Sequence, residues 1–174
     1  MVRGGASMKK YIFVAICSIL VILWIAFIWS NSMQTGEDSG EVSSEVTDRI
    51  NEVAEPVLGE PVTEKTVRKS AHFLEYMLLG VLACVDVVVI AQALSRPSAL
   101  QISLSMLSSV ALAFAVATID EFAIQASTDG RGPSWRDVGI DSAGALTGAI
   151  ICIAMFLIIC YIASKKKSKA NSQI

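Results

Sequence analysis

The chain holds a single histidine, and its neighbours are the first candidates for chemistry: Arg68-Lys69-Ser70-Ala71-His72-Phe73-Leu74-Glu75-Tyr76. On a helix, Arg68, His72 and Glu75 fall at i, i+4 and i+7 and share one face, while Lys69, His72 and Tyr76 form a slightly rotated stripe. A histidine and a glutamate one turn apart can work as a hydrogen-bonded acid/base pair or as two ligands to one metal ion. The bland alternative is interfacial decoration, because these residue types also favour the headgroup zone of a membrane. Glu75 weighs against it, since a carboxylate one turn inside an apolar run is costly without a partner.

A second group stands further on, in Asp120-Glu121-Phe122-Ala123-Ile124-Gln125, where Glu121 and Gln125 stack at i and i+4. Asp129-Gly130-Arg131-Gly132-Pro133 follows and reads as a turn. Ser134-Trp135-Arg136-Asp137 has the form of a capping box, which accounts for Asp137 as a helix-start residue. Asp141, one turn further in on the same face, has no such explanation. Gly144 and Gly148 then give the small-xxx-small spacing that lets another helix approach closely.

The elements that must position these groups follow from composition. Of 174 residues, 53% are hydrophobic, which is too apolar for a soluble fold of this size. Mean hydropathy is +0.59. The charges sit in blocks between four apolar runs, 11–29, 71–94, 100–119 and 140–163. Each has about the 20 residues a helix needs to cross a hydrocarbon core. Four spans cannot close a barrel, so helices are required. The first run is too long for a signal-peptide core and Ile28-Trp29-Ser30 is a poor cleavage site, so it is expected to remain as a helix. The expected fold is all-α: a single membrane domain over 1–174, a four-transmembrane-helix bundle with outer loops 30–70 and 120–139 and a cytoplasmic tail at 164–174.

Orientation follows from the flanks. Arg3, Lys9 and Lys10 precede the first span, Arg96 alone is charged between the second and third, and Lys165, Lys166, Lys167 and Lys169 follow the fourth. The 30–70 segment carries nine acids against four bases. Basic and acidic flanks therefore alternate, placing both termini in the cytoplasm. The cysteines, Cys17, Cys84, Cys152 and Cys160, all lie in apolar spans, where a thiol acts as a small hydrophobe.

The long outer segment has its own order. Thr35-Gly36-Glu37-Asp38 resembles a capping box, and Val42, Val46, Ile50, Val53 and Val57 then recur as one helical stripe. This predicts an extracytoplasmic amphipathic helix of about four turns, ended by Pro56, Gly59 and Pro61, as a peripheral anchor or a lid over a site. Thr63 is placed to cap the helix that runs into the second span. His72 and Glu75 then open the second span, Asp120 and Glu121 close the third, and Asp141 opens the fourth, all near the outer boundary. Ionisable groups in spans face the bundle interior, so the five should converge. Deep in the second span, Asp86 is expected to find the serines Ser105, Ser108 and Ser109 of the third.

Taken together, Trp24-Ile25-Ala26-Phe27-Ile28-Trp29-Ser30-Asn31-Ser32, the Lys69…His72…Tyr76 pattern, Asp120-Glu121…Gln125, Arg131 and Asp137…Asp141…Gly144…Gly148 resemble the VanZ-like membrane proteins, over residues 24 to about 150. At the position of Asp141 many relatives carry Asn. The resemblance implies a cell-envelope role and an association with resistance to teicoplanin-type glycopeptides. On the outer face, the first reading is an enzyme or modifier acting on a polyprenyl-phosphate or cell-wall intermediate. Arg68, Lys69, Tyr76, Gln125 and Arg131 would bind it, and His72, Glu75, Asp120, Glu121 and Asp141 would carry the chemistry. A divalent cation held by the carboxylates is compatible with this set, which names no particular metal. The second reading is a non-catalytic protein that binds glycopeptide or a cell-wall enzyme, its polar cluster being structural. A small transporter is third, since four spans without an internal repeat support it poorly. The bilayer is the expected environment, and no nucleic-acid partner is expected.

Overall fold

The computed structural model describes residues 3–94 and 99–171, with side chains over 8–94 and 101–166. The connection carrying Arg96, and the Arg3, Lys167 and Lys169 side chains, lie outside the described residues. Five α-helices run in order: α1 (Arg3–Ser32), α2 (Gly36–Leu58), α3 (Glu64–Leu94), α4 (Ala99–Ile119) and α5 (Trp135–Asn171). A π-helical turn, Asp120–Ile124, and a short 3-10 turn, Gln125–Ser127, continue α4 outward. Four segments, Met8–Ser32, Glu64–Leu94, Gln101–Ser127 and Trp135–Lys166, are long and apolar enough to cross a membrane. The chain is a multi-pass membrane protein, with no strand among the described residues.

The apolar runs set where helices exist, but the helices outlast them. Thr63 starts α3 by accepting the Thr66 backbone N–H on its Oγ1 (3.3 Å), so the polar stretch from Arg68 to Glu75 is helical throughout. α3 and α5 form the tightest seam of the bundle. A Cβ at Gly148 would lie 1.9 Å from the Met77 carbonyl oxygen, one at Gly144 2.2 Å from that of Phe73, and one at Gly80 2.1 Å from that of Ala145. Only hydrogen fits at these three points, and backbone-to-backbone contact fixes the depth of α5 against α3. Val21, Ile28, Tyr76, Leu79, Ala117 and Ala145 are among the residues filling the interior beneath the outer end.

α2 departs from expectation in length. Thr35 caps it, accepting the Asp38 N–H, and Gly59 closes it in the left-handed conformation (φ 80°). The helix runs 23 residues and carries Pro56 inside its last turn rather than ending there. Its small polar residues Ser39 and Thr47 face the protein, and Asn51 clamps Val62 by accepting its N–H (2.7 Å) and donating to its C=O (3.0 Å). The Val42–Val57 stripe is turned outward, with Val53 and Val57 73% and 79% exposed. The Gly36 N–H reaches the Asp129 carbonyl (2.9 Å), tying the start of α2 to the loop between α4 and α5.

Asp86 corrects the sequence reading. Its carboxylate accepts the Ser18 hydroxyl of α1 (2.9 Å), whereas Ser105, Ser108 and Ser109 bond carbonyls of their own helix. Matching depth along two helices says nothing about which face each turns to the other, and a serine in a helix readily bonds the preceding turn.

Candidate functional site

Three helix ends build the site, and each contributes for a local reason. α3 enters with its cationic turn outermost and His72 one turn deeper. α5 begins at Trp135 after Ser134, whose Oγ and C=O accept the Asp137 N–H (3.4 and 3.0 Å). α4 unwinds into the wider π-turn, where the Gln125 N–H reaches the carbonyls of both Asp120 and Glu121. The wider turn rotates both carboxylates toward one amide: Gln125 Nε2 donates to Glu121 Oε2 (2.8 Å) and Asp120 Oδ2 (3.1 Å). An ideal α-turn would align Gln125 with Glu121 alone.

The result is a cleft of about 300 Å³ where the start of α3, the end of α4 and the start of α5 meet. Lys65, Arg68, Lys69, Arg131 and Arg136 form its cationic lining. His72, Glu121, Gln125, Asp137 and Asp141 supply the rest of its polar wall. Asp120, Glu121 and Asp141 are 0%, 1% and 2% exposed, a degree of burial that ionised carboxylates tolerate only with partners. Donor atoms of His72, Asp120 and Asp141 lie within 4.8 Å of one another.

α1 closes the back of this arrangement. Ser32 donates to Asp120 Oδ2 (2.9 Å), Asn31 Nδ2 to Glu75 Oε1 (2.9 Å), and Trp24 Nε1 to the Glu75 carbonyl (2.9 Å). Glu75 is therefore held against α1 and lines a second, smaller cleft beneath α2, with His72, Arg68 and Arg131. Arg131, outside the spans, stands between the two clefts and donates to the Ser32 carbonyl at 3.4 Å. Partial burial, and then the Arg68 cation, pull its pKa below the usual arginine value.

Several sequence assignments change. Asp137 does more than start α5: its carboxylate pairs with Lys69 of α3, joining the two helices across the cleft. Lys69 is thus partly engaged by protein. Tyr76 is fully buried beneath the site, so it supports the floor rather than the rim. Glu121 accepts the Gln125 side-chain amide (2.8 Å), so it is held within the end of its own helix. Sequence reasoning missed Lys65 and Arg136 in the cleft wall. Lys65 lies three and four residues before Arg68 and Lys69, which is the helical spacing that could have revealed it.

A family model, described as VanZ/LLP1, matches residues 17–159 and so covers every helix that shapes the cleft. The chain belongs to the VanZ/LLP1 family. No curated protein and no solved structure matched in the corresponding comparisons. The match includes the end of α1 that orients Asp120 and Glu75, as well as the α3, α4 and α5 residues of the cleft. In this VanZ/LLP1 chain, then, the first span is part of the polar site as well as a membrane anchor.

Proposed function

We propose that this VanZ/LLP1 protein uses its cleft at the outer face of the cell membrane to bind the phosphate end of a cell-envelope lipid or cell-wall precursor, and thereby lowers susceptibility to teicoplanin-type glycopeptides. The carrying observation is the layered charge of one cleft: five cationic side chains, with His72 and buried carboxylates at its base. Arg68 and Arg131 suit bidentate phosphate contact, and Lys65 and Arg136 add charge at the mouth. A lipid's phosphate reaches this depth without leaving the headgroup zone, because the cleft lies where three spans end.

The orientation rests on the alternating flank charges, which put both termini in the cytoplasm. α2 would lie along the outer leaflet, its exposed Val53 and Val57 in the headgroup boundary and its first half, through Ser39, Val42, Ser43 and Val46, over the smaller cleft. A cysteine placed at Gln34 or Thr128 should then react with an impermeant thiol reagent in intact cells, while one at Ser168 should stay unlabelled. The reverse pattern would move the cleft to the cytoplasm and end this reading.

A second reading has an observation of its own. The Lys69–Asp137 pair and the Gln125 clamp on Asp120 and Glu121 tie helices together as a structural polar network would. In that case the protein is a binding or interaction module without chemistry. His72→Ala separates the two when glycopeptide susceptibility and envelope-lipid levels are measured together in cells with equal protein levels. Altered lipid levels support an enzyme or modifier. Lost protection with unchanged lipids supports the interaction module. Unchanged susceptibility and unchanged lipids would remove His72 from both.

A further inference from the structure

At the base of the cleft, more carboxyl groups are gathered than there are cations beside them to balance. Asp120 and Asp141 are buried, and the strongest electrostatic neighbours of Asp141 are four carboxylates: Asp120, Glu121, Asp137 and Glu75. Arg131 and Lys69 are the cations whose charge reaches Asp120 and Glu121, and Lys69 is already paired with Asp137. Burying like charges together is unfavourable by several kcal/mol per ion unless a counter-charge joins them.

The hydrogen bonds point the same way. Asp120 accepts Ser32 and Gln125 on Oδ2, while its Oδ1 is buried without a partner. His72 Nδ1 is likewise buried and unpartnered. Independently of these acids, the Tyr76 hydroxyl is fully buried with no partner, and its strongest electrostatic neighbours are Asp120 and Asp141. Three unpartnered polar atoms on neighbouring buried side chains call for a polar partner, because buried polar groups are almost always satisfied.

We infer that His72, Asp120 and Asp141 form a site for one divalent first-row cation, Zn²⁺ or Mn²⁺, at the base of the cleft. The donor atoms lie within 4.8 Å of one another, so the centre of the largest such triangle is about 2.8 Å from each. A bond length near 2.1 Å is reached when each donor moves inward by less than about 1 Å, within the freedom of side-chain torsions. One imidazole nitrogen with two carboxylate oxygens favours these ions over Ca²⁺ and Mg²⁺, which prefer shells made of oxygen alone. Ser32 and Gln125 fix the Asp120 carboxylate through Oδ2 and leave Oδ1 without a protein partner, the usual office of groups behind a metal ligand. Tyr76, whose strongest electrostatic neighbours are Asp120 and Asp141, would offer its free hydroxyl to a ligand oxygen or to a water on the ion. The remaining positions open toward the cationic mouth. These donors stand whether or not the mouth takes a phosphate, so the ion and the proposed lipid ligand are separately testable. With an ion bound, His72 is a ligand, and its proton-transfer role falls away.

The test is equilibrium binding of Zn²⁺, and separately of Mn²⁺, to the chelator-treated full chain in lipid nanodiscs, with metal content counted after desalting. One ion per chain is expected, with a rise in thermal unfolding temperature that grows with ion concentration. Asp141→Asn, which keeps shape and removes charge, should weaken binding by about 100-fold, and Ser32→Ala by about 10-fold through Asp120. Glu45→Gln on the exposed face of α2 should leave it unchanged. Thermal unfolding in the absence of metal confirms that each variant is folded. No saturable binding to the wild-type chain would overturn the inference without recourse to any variant. Equal affinity in wild type and folded Asp141→Asn would overturn it too, as would an equal loss in Glu45→Gln.

Discussion

The two ends of the bundle, the cleft end that is proposed to face out and the opposite half that would face in, treat polar side chains in opposite ways. In the inner half each has an inexpensive solution close by: Asp86 takes the Ser18 hydroxyl, and Ser105, Ser108 and Ser109 bond carbonyls of their own helix. At the outer end, three carboxylates are buried together. Among the described residues, the four buried side-chain polar atoms without a partner all cluster there, on Trp29, His72, Tyr76 and Asp120. A fold selected only for stability would satisfy or remove such groups. The difference teaches that the inner half is scaffold and that polar cost is concentrated where a ligand would be met.

The comparison breaks most violently through the seam that joins the two regions. Gly148→Leu places bulk where even a Cβ lies 1.9 Å from the Met77 carbonyl oxygen. It should cost about 3 kcal/mol or more and reduce the yield of folded protein, as read by thermal unfolding and size-exclusion behaviour in detergent. Activity lost while expression and melting stay intact would show that this glycine serves the cleft rather than the packing.

Smaller effects of opposite sign are expected within the cleft. Lys69→Met leaves Asp137 without its partner across α3 and α5. Because both side chains are partly exposed, the expected loss is about 1 kcal/mol in chemical denaturation. Tyr76→Phe removes a buried hydroxyl that has no protein partner and should stabilise the ligand-free chain by about 1 kcal/mol. Destabilisation by Tyr76→Phe would mean that the hydroxyl is already satisfied and that the outer end is less strained than described.

The smallest effect belongs to the inner half. Asp86→Asn retains an acceptor for Ser18, so stability should change by less than about 0.5 kcal/mol and function should be unaffected. Function lost in a stable Asp86→Asn protein would make this residue a proton carrier and merge the two regions into one pathway.

Much of this was legible in the sequence, for physical reasons. Hydropathy counts residues against bilayer thickness, so the four spans could be read directly, and helical spacing put His72 above the second span's interior. The glycines at 144 and 148 declared a close approach, though not that Gly80 on α3 answers them. Azimuth was not legible. Glu75 shares a nominal face with His72 yet is held by Asn31, and Asp86 turned to α1 instead of α4. Nothing in Asp-Glu-Phe-Ala-Ile-Gln announces a π-turn, because residue spacing alone does not distinguish it from an ordinary α-turn. The roles of Asn31 and Ser32 were equally hidden. Both sat within the block that suggested the family, but only tertiary contact shows that the first span orients the acids.

The central claim is that the cationic cleft receives a phosphate at the membrane surface, and lipid binding tests it most directly. The measurement is the affinity of the full chain in nanodiscs for a polyprenyl phosphate, compared with Arg131→Ala and with the exposed-face control Glu45→Gln. Each charge-assisted hydrogen bond is worth about 1.5–3 kcal/mol, so Arg131→Ala should weaken binding about 10- to 100-fold while the control binds as wild type. Equal affinity in wild type and a folded Arg131→Ala protein, or no binding by the wild-type chain, would contradict the account.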